Sequence, residues 1–346
     1  MNKQEAYING ISYYLPEKVL TNQELSQEHP DWSIEKISQK TGISQRHISE
    51  ENENSSDMAL KAIDIFFNEH EIERKSIDFL LLCTQSPDYL LPTTACILQH
   101  KANLTKSCGA LDFNLGCSGY IYGLGLAKGL VETGQAKNVL LVTSETYSKF
   151  IHSKDKSNKT LFGDASAVTL VTSQPNKNYF KARIGDFVYG TDGSGYEYLI
   201  VRNGGMKNAN SNGKDEYDED GNFVKNDDYL FMNGNSIFNF TAFEIPPLID
   251  KVIEKNNLNL NDINLFVFHQ ANKYMLNFVR SRCNIPAEKF YISLNDVGNT
   301  VSSTIPIALK RAIEDKTVNS CTPNILLAGF GVGLSMGAVI IKNDYK

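Results

Sequence analysis

The order of structural elements runs twice along this chain, and no other sequence feature restricts its fold as tightly. In the first half the helical pattern AIDIFFNEHEIERKSIDFLLLCTQ passes into an apolar strand, and LIDKVIEKNNLNLNDINLFVFHQ does the same in the second at nearly the same spacing. LDFNLGCSGYIYGLGLAKGL then reads as strand, tight small-residue turn and helix, and YISLNDVGNTVSSTIPIALKRA repeats that plan with Asn299 near the place of Cys117. KNVLLVTSETYS pairs with PNILLAGFGVGLS, and the apolar run of DASAVTLVTS pairs with that of MGAVIIKND. Four elements recurring in one order imply a gene-duplicated α/β structure. Residues 1–175 and 236–346 are expected to form the two halves, with residues 176–235 connecting them. Within that connection, residues 202–232 are rich in Gly, Asn and Asp and read as a long surface excursion, either a solvated loop or a lid.

Loops that follow the strands of an open α/β sheet gather at one end and build the site. Cys117, His269, Asn299 and the GFGVG loop all follow expected strands, so two pseudo-symmetric halves can bring them together across long sequence distances. Cys117 lies in GCSG between an apolar strand and a glycine-rich helix, where free backbone N–H groups and the helix dipole favour a thiolate. His269 ends the run INLFVFHQAN, where a polar strand tip does not fit core packing. The other five histidines (His29, His47, His70, His100, His152) lack such placement. Asn299 sits in a Gly-Asn turn that alone would pass for an ordinary loop or cap. Together, a nucleophile, two hydrogen-bond donors and a loop of exposed amides form a set suited to acyl transfer. The glycines of GLGLAKG lie inside a helix and read as packing positions, not as a dinucleotide fingerprint.

Composition narrows the function further. Of 346 residues 41% are hydrophobic and 21% charged, ordinary globular values that exclude a disordered chain. The net charge of -6, with no clustered Lys and Arg, argues against nucleic acid. No apolar run is long enough to cross a bilayer and no leader is visible, so a cytoplasmic protein is expected. Six cysteines without a C-x-x-C pair indicate neither zinc nor a disulfide framework, and no metal site is expected.

The ordered landmarks TGISQRHI (41–48), LPTTAC (91–96), GCSG (116–119), LFGDASA (161–167), HQAN (269–272), GNTVSSTIP (298–306) and GFGVG (329–333) make the chain similar to the β-ketoacyl-acyl-carrier-protein synthase III family of the thiolase superfamily. The resemblance implies a thiolase-like fold of two pseudo-symmetric halves in αβαβα layers. It implies a decarboxylative condensation in which Cys117 takes an acyl group from acyl-CoA or an acyl carrier protein. A malonyl group on acyl carrier protein would then condense with it to give a 3-oxoacyl product. His269, neutral and with an N–H aimed at the enolate, would act with Asn299, and the backbone N–H groups of Cys117 and Val332 would hold the oxyanion. No cofactor is implied. Phe162, Met232, Gly234, Phe238 and Ala271 would line the acyl and pantetheine region, and Asn272 would bind near the pantetheine arm. LPTTAC implies a homodimer in which Leu91 stands where an aromatic often enters the partner's acyl pocket. Lys40 and Lys156 stand where the family commonly has arginines, keeping charge without bidentate phosphate geometry. The family's adenine-stacking tryptophan falls near Lys36, and its basic residue after HQAN is Tyr274. Trp32, the only tryptophan, is offset by four residues and is not expected to fill the stacking role. Acyl transfer to an oxygen or nitrogen acceptor, with His269 as base, and a catalytically silent partner subunit are the competing readings.

Overall fold

A computed structural model describes residues 4–175 and 180–343. Residues 176–179 of the expected connecting segment lie outside the described residues. The main sheet has nine strands: β1 (Tyr7–Tyr14), β2 (Phe79–Cys83), β3 (Gly109–Phe113), β4 (Asn138–Glu145) and β5 (Ala165–Thr172), then β6 (Ala182–Thr191), β7 (Leu265–Phe268), β8 (Asn324–Gly331) and β9 (Ser335–Asn343). Their spatial order is β7-β8-β9-β6-β1-β5-β4-β2-β3. The duplication is written in the pairing. β2 runs parallel to β4, β4 antiparallel to β5, and β5 antiparallel to β1. In the second half β7 runs parallel to β8, β8 antiparallel to β9, and β9 antiparallel to β6. β1 and β6 are therefore a fifth repeated element, and the halves join where Tyr7 pairs with Arg183 and Ile8 with Ala182. β6, inside the segment expected to be a connection, is an interior strand of the sheet.

One strand has no full counterpart. β3 pairs along its length with β2, whereas the equivalent YISL segment makes only a parallel bridge between Phe266 and Phe290. The reason lies in a competing acceptor. Tyr291 N–H still reaches the Phe266 carbonyl at 3.0 Å, but Ser293 N–H is taken at 2.8 Å by the side chain of Gln270, which turns the chain off the ladder.

The helices complete a layered αβαβα arrangement. α1 (Ser55–Glu69) and α2 (Thr94–Lys101) cover the outer face of the first half. α3 (Gly119–Glu132) touches strands of both halves and lies in the middle. α4 (Gly234–Lys255) and α5 (Lys273–Arg282) cover the second half, and α6 (Thr304–Glu314) joins α3 in the central layer. That central core carries Ile121, Leu124 and Ala127 from α3 and Ile305, Ala308 and Leu309 from α6, packed on Val139, Leu141, Leu327 and Val339. Fully burying side chains of this size stabilises by about 1.5–3 kcal/mol each. Gly119, Gly123 and Gly125 of α3 serve close packing, whereas Gly129 faces open space. A Cβ on Gly123 would come within 2.6 Å of Leu141 and 3.0 Å of the Phe113 ring.

Residues 202–232 are mostly exposed and carry a small hairpin, Glu216–Tyr217 with Phe223–Lys225. His152 stacks on Phe223 at 4.3 Å and Lys154 lies 3.0 Å from Asp215, so the excursion is anchored on the segment after β4. Among the described residues no helix is long and apolar enough to cross a membrane.

Candidate active site

Cys117 stands between the end of β3 and the start of α3, His269 directly follows β7, and Gly331 ends β8. The duplicated topology turns these loops toward one another, and all three line one pocket of about 530 Å³ together with Asn299 and Phe330. The approach to the thiol is tight. A Cβ on Gly331 would sit 2.9 Å from Cys117 Sγ, so glycine alone allows β8 to pass there. The backbone N–H groups of Cys117 itself and of Val332 favour the charged form of the sulfur and pull its pKa down.

Asn299 is held on three sides. Its N–H donates to Leu161 O at 2.8 Å, and its carbonyl accepts from Gly163 N–H at 3.0 Å. Gly298 turns the chain at φ 71°, and a Cβ there would meet the Leu161 carbonyl at 2.8 Å. The side-chain Oδ1 accepts from Val301 N–H at 3.0 Å. That bond settles which way the amide faces, leaving Nδ2, with its two hydrogens, on the pocket side. Val301 reaches this position at φ 55°, a left-handed conformation that costs a β-branched residue about 1–3 kcal/mol and is typical of residues held by function.

His269 N–H donates to Ala328 O at 2.8 Å, and the ring stands edge-on to Phe330. Its Nδ1 lies 2.8 Å from Thr304 Oγ1, which makes Nε2 the pocket-facing nitrogen. Burial drives the His269 pKa down to about 3, so the imidazole is neutral, as its expected role requires.

Two family models match the chain: "3-Oxoacyl-[acyl-carrier-protein (ACP)] synthase III" over residues 111–193 and its C-terminal counterpart over residues 253–343. The beta-ketoacyl-[acyl-carrier-protein] synthase III of Clostridium perfringens is 34% identical over 98% of this chain and 99% of its own length. A crystal structure of a 3-oxoacyl-(acyl-carrier-protein) synthase III is 43% identical, with a TM-score of 0.92 over 98% of this chain and 99% of that one. The corresponding synthase of Burkholderia xenovorans is 32% identical with a TM-score of 0.86, over 98% and 94% of the two chains. This chain belongs to the 3-oxoacyl-acyl-carrier-protein synthase III family. It is an acyltransferase with the thiolase-like fold.

Seven further residues singled out in the sequence meet in this synthase pocket: Lys40, Phe162, Met232, Gly234, Phe238, Ala271 and Asn272. Asn272 also caps α5, its Oδ1 accepting from Met275 N–H at 2.8 Å. Lys156 does not line the pocket, and its Nζ lies 2.6 Å from the Asp31 carboxylate. Leu91 is 87% exposed, beside the also exposed Tyr89 and Leu90. Trp32 stands at the same site. It lines the pocket together with Lys40 and Tyr274, and the Lys40 ammonium sits 5.6 Å from its ring centre.

Sequence reasoning missed Glu145. It ends β4 fully buried and accepts hydrogen bonds from Gln85 N–H at 3.0 Å, Ser302 Oγ at 2.9 Å and Ser86 Oγ at 3.3 Å. The signal was an acid closing the otherwise uncharged run NVLLVTSE. Burial pushes its carboxyl up to about 8, so the acid is largely neutral at pH 7. Burial, with Glu145 adding to it, pushes the Cys117 thiol up to about 12, against the opposing pull of the two amides.

Glu145 makes stability depend on pH in a stated direction. Between the ordinary carboxyl value and about 8 the unfolded chain has lost this proton and the folded one keeps it, so stability falls as pH rises. His269 acts only below about 6.5, where the unfolded imidazole charges and the folded one does not. His29, His70 and His269, all held down by burial, contribute equally to wild type and Glu145→Gln, so the difference between the two proteins in denaturant unfolding at pH 6.5 and 7.5 isolates Glu145. Over that unit Glu145→Gln, which keeps an acceptor for Gln85 N–H, should lose about 1 kcal/mol less than the wild type. Equal slopes in the two proteins would remove Glu145 as the source.

Proposed function

We propose that this enzyme condenses an acyl group carried on Cys117 with a malonyl group presented on acyl carrier protein, releasing carbon dioxide and a 3-oxoacyl-carrier-protein product. The observation that carries this reading is the paired orientation of donors. The Asn299 amide turns its hydrogens into the pocket that also holds a neutral His269, while the backbone amides of Cys117 and Val332 act on the sulfur. One donor pair suits an enolate and the other a tetrahedral oxyanion.

The steps follow from that division. The sulfur of Cys117 attacks the acyl thioester, the carrier's C–S bond breaks, and the thiol proton leaves with the carrier. Malonyl thioester then enters, and its carboxylate carbon departs as carbon dioxide. The electron pair remains as an enolate whose oxygen accepts from Asn299 Nδ2 and His269 Nε2. The enolate carbon attacks the acyl carbonyl, the oxyanion rests on the N–H groups of Cys117 and Val332, and collapse expels the Cys117 sulfur as a thiolate, which takes a proton from solvent to restore the thiol. Loss of carbon dioxide supplies the driving force, so the scheme calls for no metal or dissociable cofactor.

The apolar stretch around Phe162, Met232, Phe238 and Ala271 takes the pantetheine arm, with Asn272 and Gly234 beside it. Trp32 and Lys40 meet the donor's carrier at the mouth. Lys156, engaged by Asp31, is poorly disposed to hold a nucleotide phosphate, which favours a donor whose recognition leans on stacking and on the carrier protein. The exposed run Tyr89-Leu90-Leu91 supports a homodimer in which Leu91 reaches the partner's acyl site.

The test is turnover of malonyl-acyl-carrier-protein with a panel of acyl-CoAs and acyl carrier proteins, following carbon dioxide and product mass. The expected result is 3-oxoacyl-carrier-protein in step with carbon dioxide. Acyl loading without carbon dioxide from any malonyl thioester would leave an acyltransferase that does not condense.

A further inference from the structure

A neutral imidazole has one hydrogen to place, and which nitrogen keeps it depends on what the other nitrogen meets. At His269 the answer rests with Thr304, the first residue of α6, which is buried and makes contact on both sides. Its Oγ1 is 2.8 Å from His269 Nδ1 and 3.0 Å from the Val301 carbonyl. The hydroxyl carries a single hydrogen and has two acceptors in reach. The Val301 carbonyl already accepts from the backbone N–H of Thr304, so it is not orphaned if the hydroxyl turns away. Nδ1 has no such second donor in the hydrogen bonds around it, and its contact with the hydroxyl is the shorter of the two.

We infer that Thr304 is a positioning residue for condensation: its hydroxyl donates to His269 Nδ1, so that the ring keeps its hydrogen on Nε2, facing the pocket beside Asn299 Nδ2. The inference rests on the condensation reading for its purpose and on hydrogen-bond geometry for its substance. Val301 links the two partners. Its left-handed backbone sends the N–H to Asn299 Oδ1 and the carbonyl to Thr304, so one strained residue orients both enolate donors. Remove the hydroxyl and the balance reverses. The Val301 carbonyl, which also interacts with the ring, remains as an acceptor once the hydroxyl is gone, which draws the hydrogen to Nδ1 and leaves a lone pair on Nε2. A lone pair repels an enolate oxygen where an N–H would hold it.

Thr304→Val keeps the shape of the side chain and deletes the hydroxyl, and Thr304→Ser keeps the hydroxyl. The ring's protonation is read by ¹⁵N NMR of histidine-labelled protein, the His269 signals being those lost in His269→Ala. The wild type and Thr304→Ser should carry the hydrogen on Nε2, and Thr304→Val on Nδ1. Carbon dioxide release from malonyl-acyl-carrier-protein should fall about ten- to a hundredfold in Thr304→Val with KM little changed, and return in Thr304→Ser. Acylation of Cys117, which does not use the Nε2 hydrogen, should stay within a few-fold and shows that the variant is folded. A wild-type ring with its hydrogen on Nδ1, or a Thr304→Val enzyme that decarboxylates at the wild-type rate, would overturn the inference. A wild type inert toward every malonyl thioester would instead sink the condensation reading, with the NMR result still deciding the tautomer.

Discussion

Cys117→Ala should form no covalent adduct with any acyl thioester and should lose condensation by at least about 10⁴-fold, the scale on which removal of a covalent nucleophile acts. Intact-protein mass spectrometry reads the first effect and product formation the second. The same variant should still release carbon dioxide from malonyl-acyl-carrier-protein, because Asn299 and His269 are untouched and the enolate needs no sulfur to form. That separation is the informative part. A buried inert cysteine would lose nothing on substitution beyond some packing, whereas a nucleophile loses the adduct and the product together. The wild-type adduct should also form faster as pH rises from 7 to 9, since burial and Glu145 hold the thiol well above that range and each unit of pH increases the small thiolate fraction. An acyl adduct on Cys117→Ala would place the acyl group on another side chain and end the proposed role.

The sequence made the chemistry more legible than the architecture around it. Cys117, His269 and Asn299 could be read because each ends a recognisable strand or turn, and strand ends gather by topology alone. β6 does not read as sheet because Gly185, Asp186 and Gly190, poor strand formers, interrupt its sequence. It is a strand because β1 and β9 stand on either side of it. The YISL segment failed in the opposite direction. Its local pattern suits a strand, but a side-chain oxygen of Gln270 outcompetes the ladder for Ser293 N–H, a contact that only the folded chain supplies. Trp32 reaches the pocket by a route that counting residues along the sequence does not reveal. It precedes Ser33, the N-cap of the short helix Ile34–Thr41, and that helix carries Lys40 back to within 5.6 Å of its ring. Glu145 and Thr304 were passed over for a different reason. Both act through hydrogen bonds to residues more than thirty positions away, and neither belongs to a pattern that propensity or periodicity would single out.

Asn299 should give the mirror image of Cys117. Asn299→Asp is nearly the same shape, and its carboxylate can still accept from Val301 N–H, so the Gly-Asn turn and the strained backbone behind it are retained. What changes is the pocket side, where two hydrogens are replaced by a second acceptor oxygen with negative charge. An enolate forming there meets repulsion instead of a donor, so carbon dioxide release should fall by more than the hundred- to thousandfold that loss of one such donor typically causes. Asn299→Ala, which deletes the donor without adding charge, should fall within about that range, and His269→Ala likewise. In all three the Cys117 adduct should still form at a rate within about tenfold of wild type, since in the proposed mechanism the oxyanion of that step rests on backbone amides that no side-chain substitution removes. The combined variant His269→Ala with Asn299→Ala should be far less impaired than the product of the single effects, because the two donors serve one oxygen and neither works fully without the other. Rapid-quench measurement of acylation beside steady-state carbon dioxide release distinguishes the steps. If Asn299→Asp instead blocked acylation and spared decarboxylation, the donor pair would belong to the first half-reaction and the proposed division of the site would be reversed.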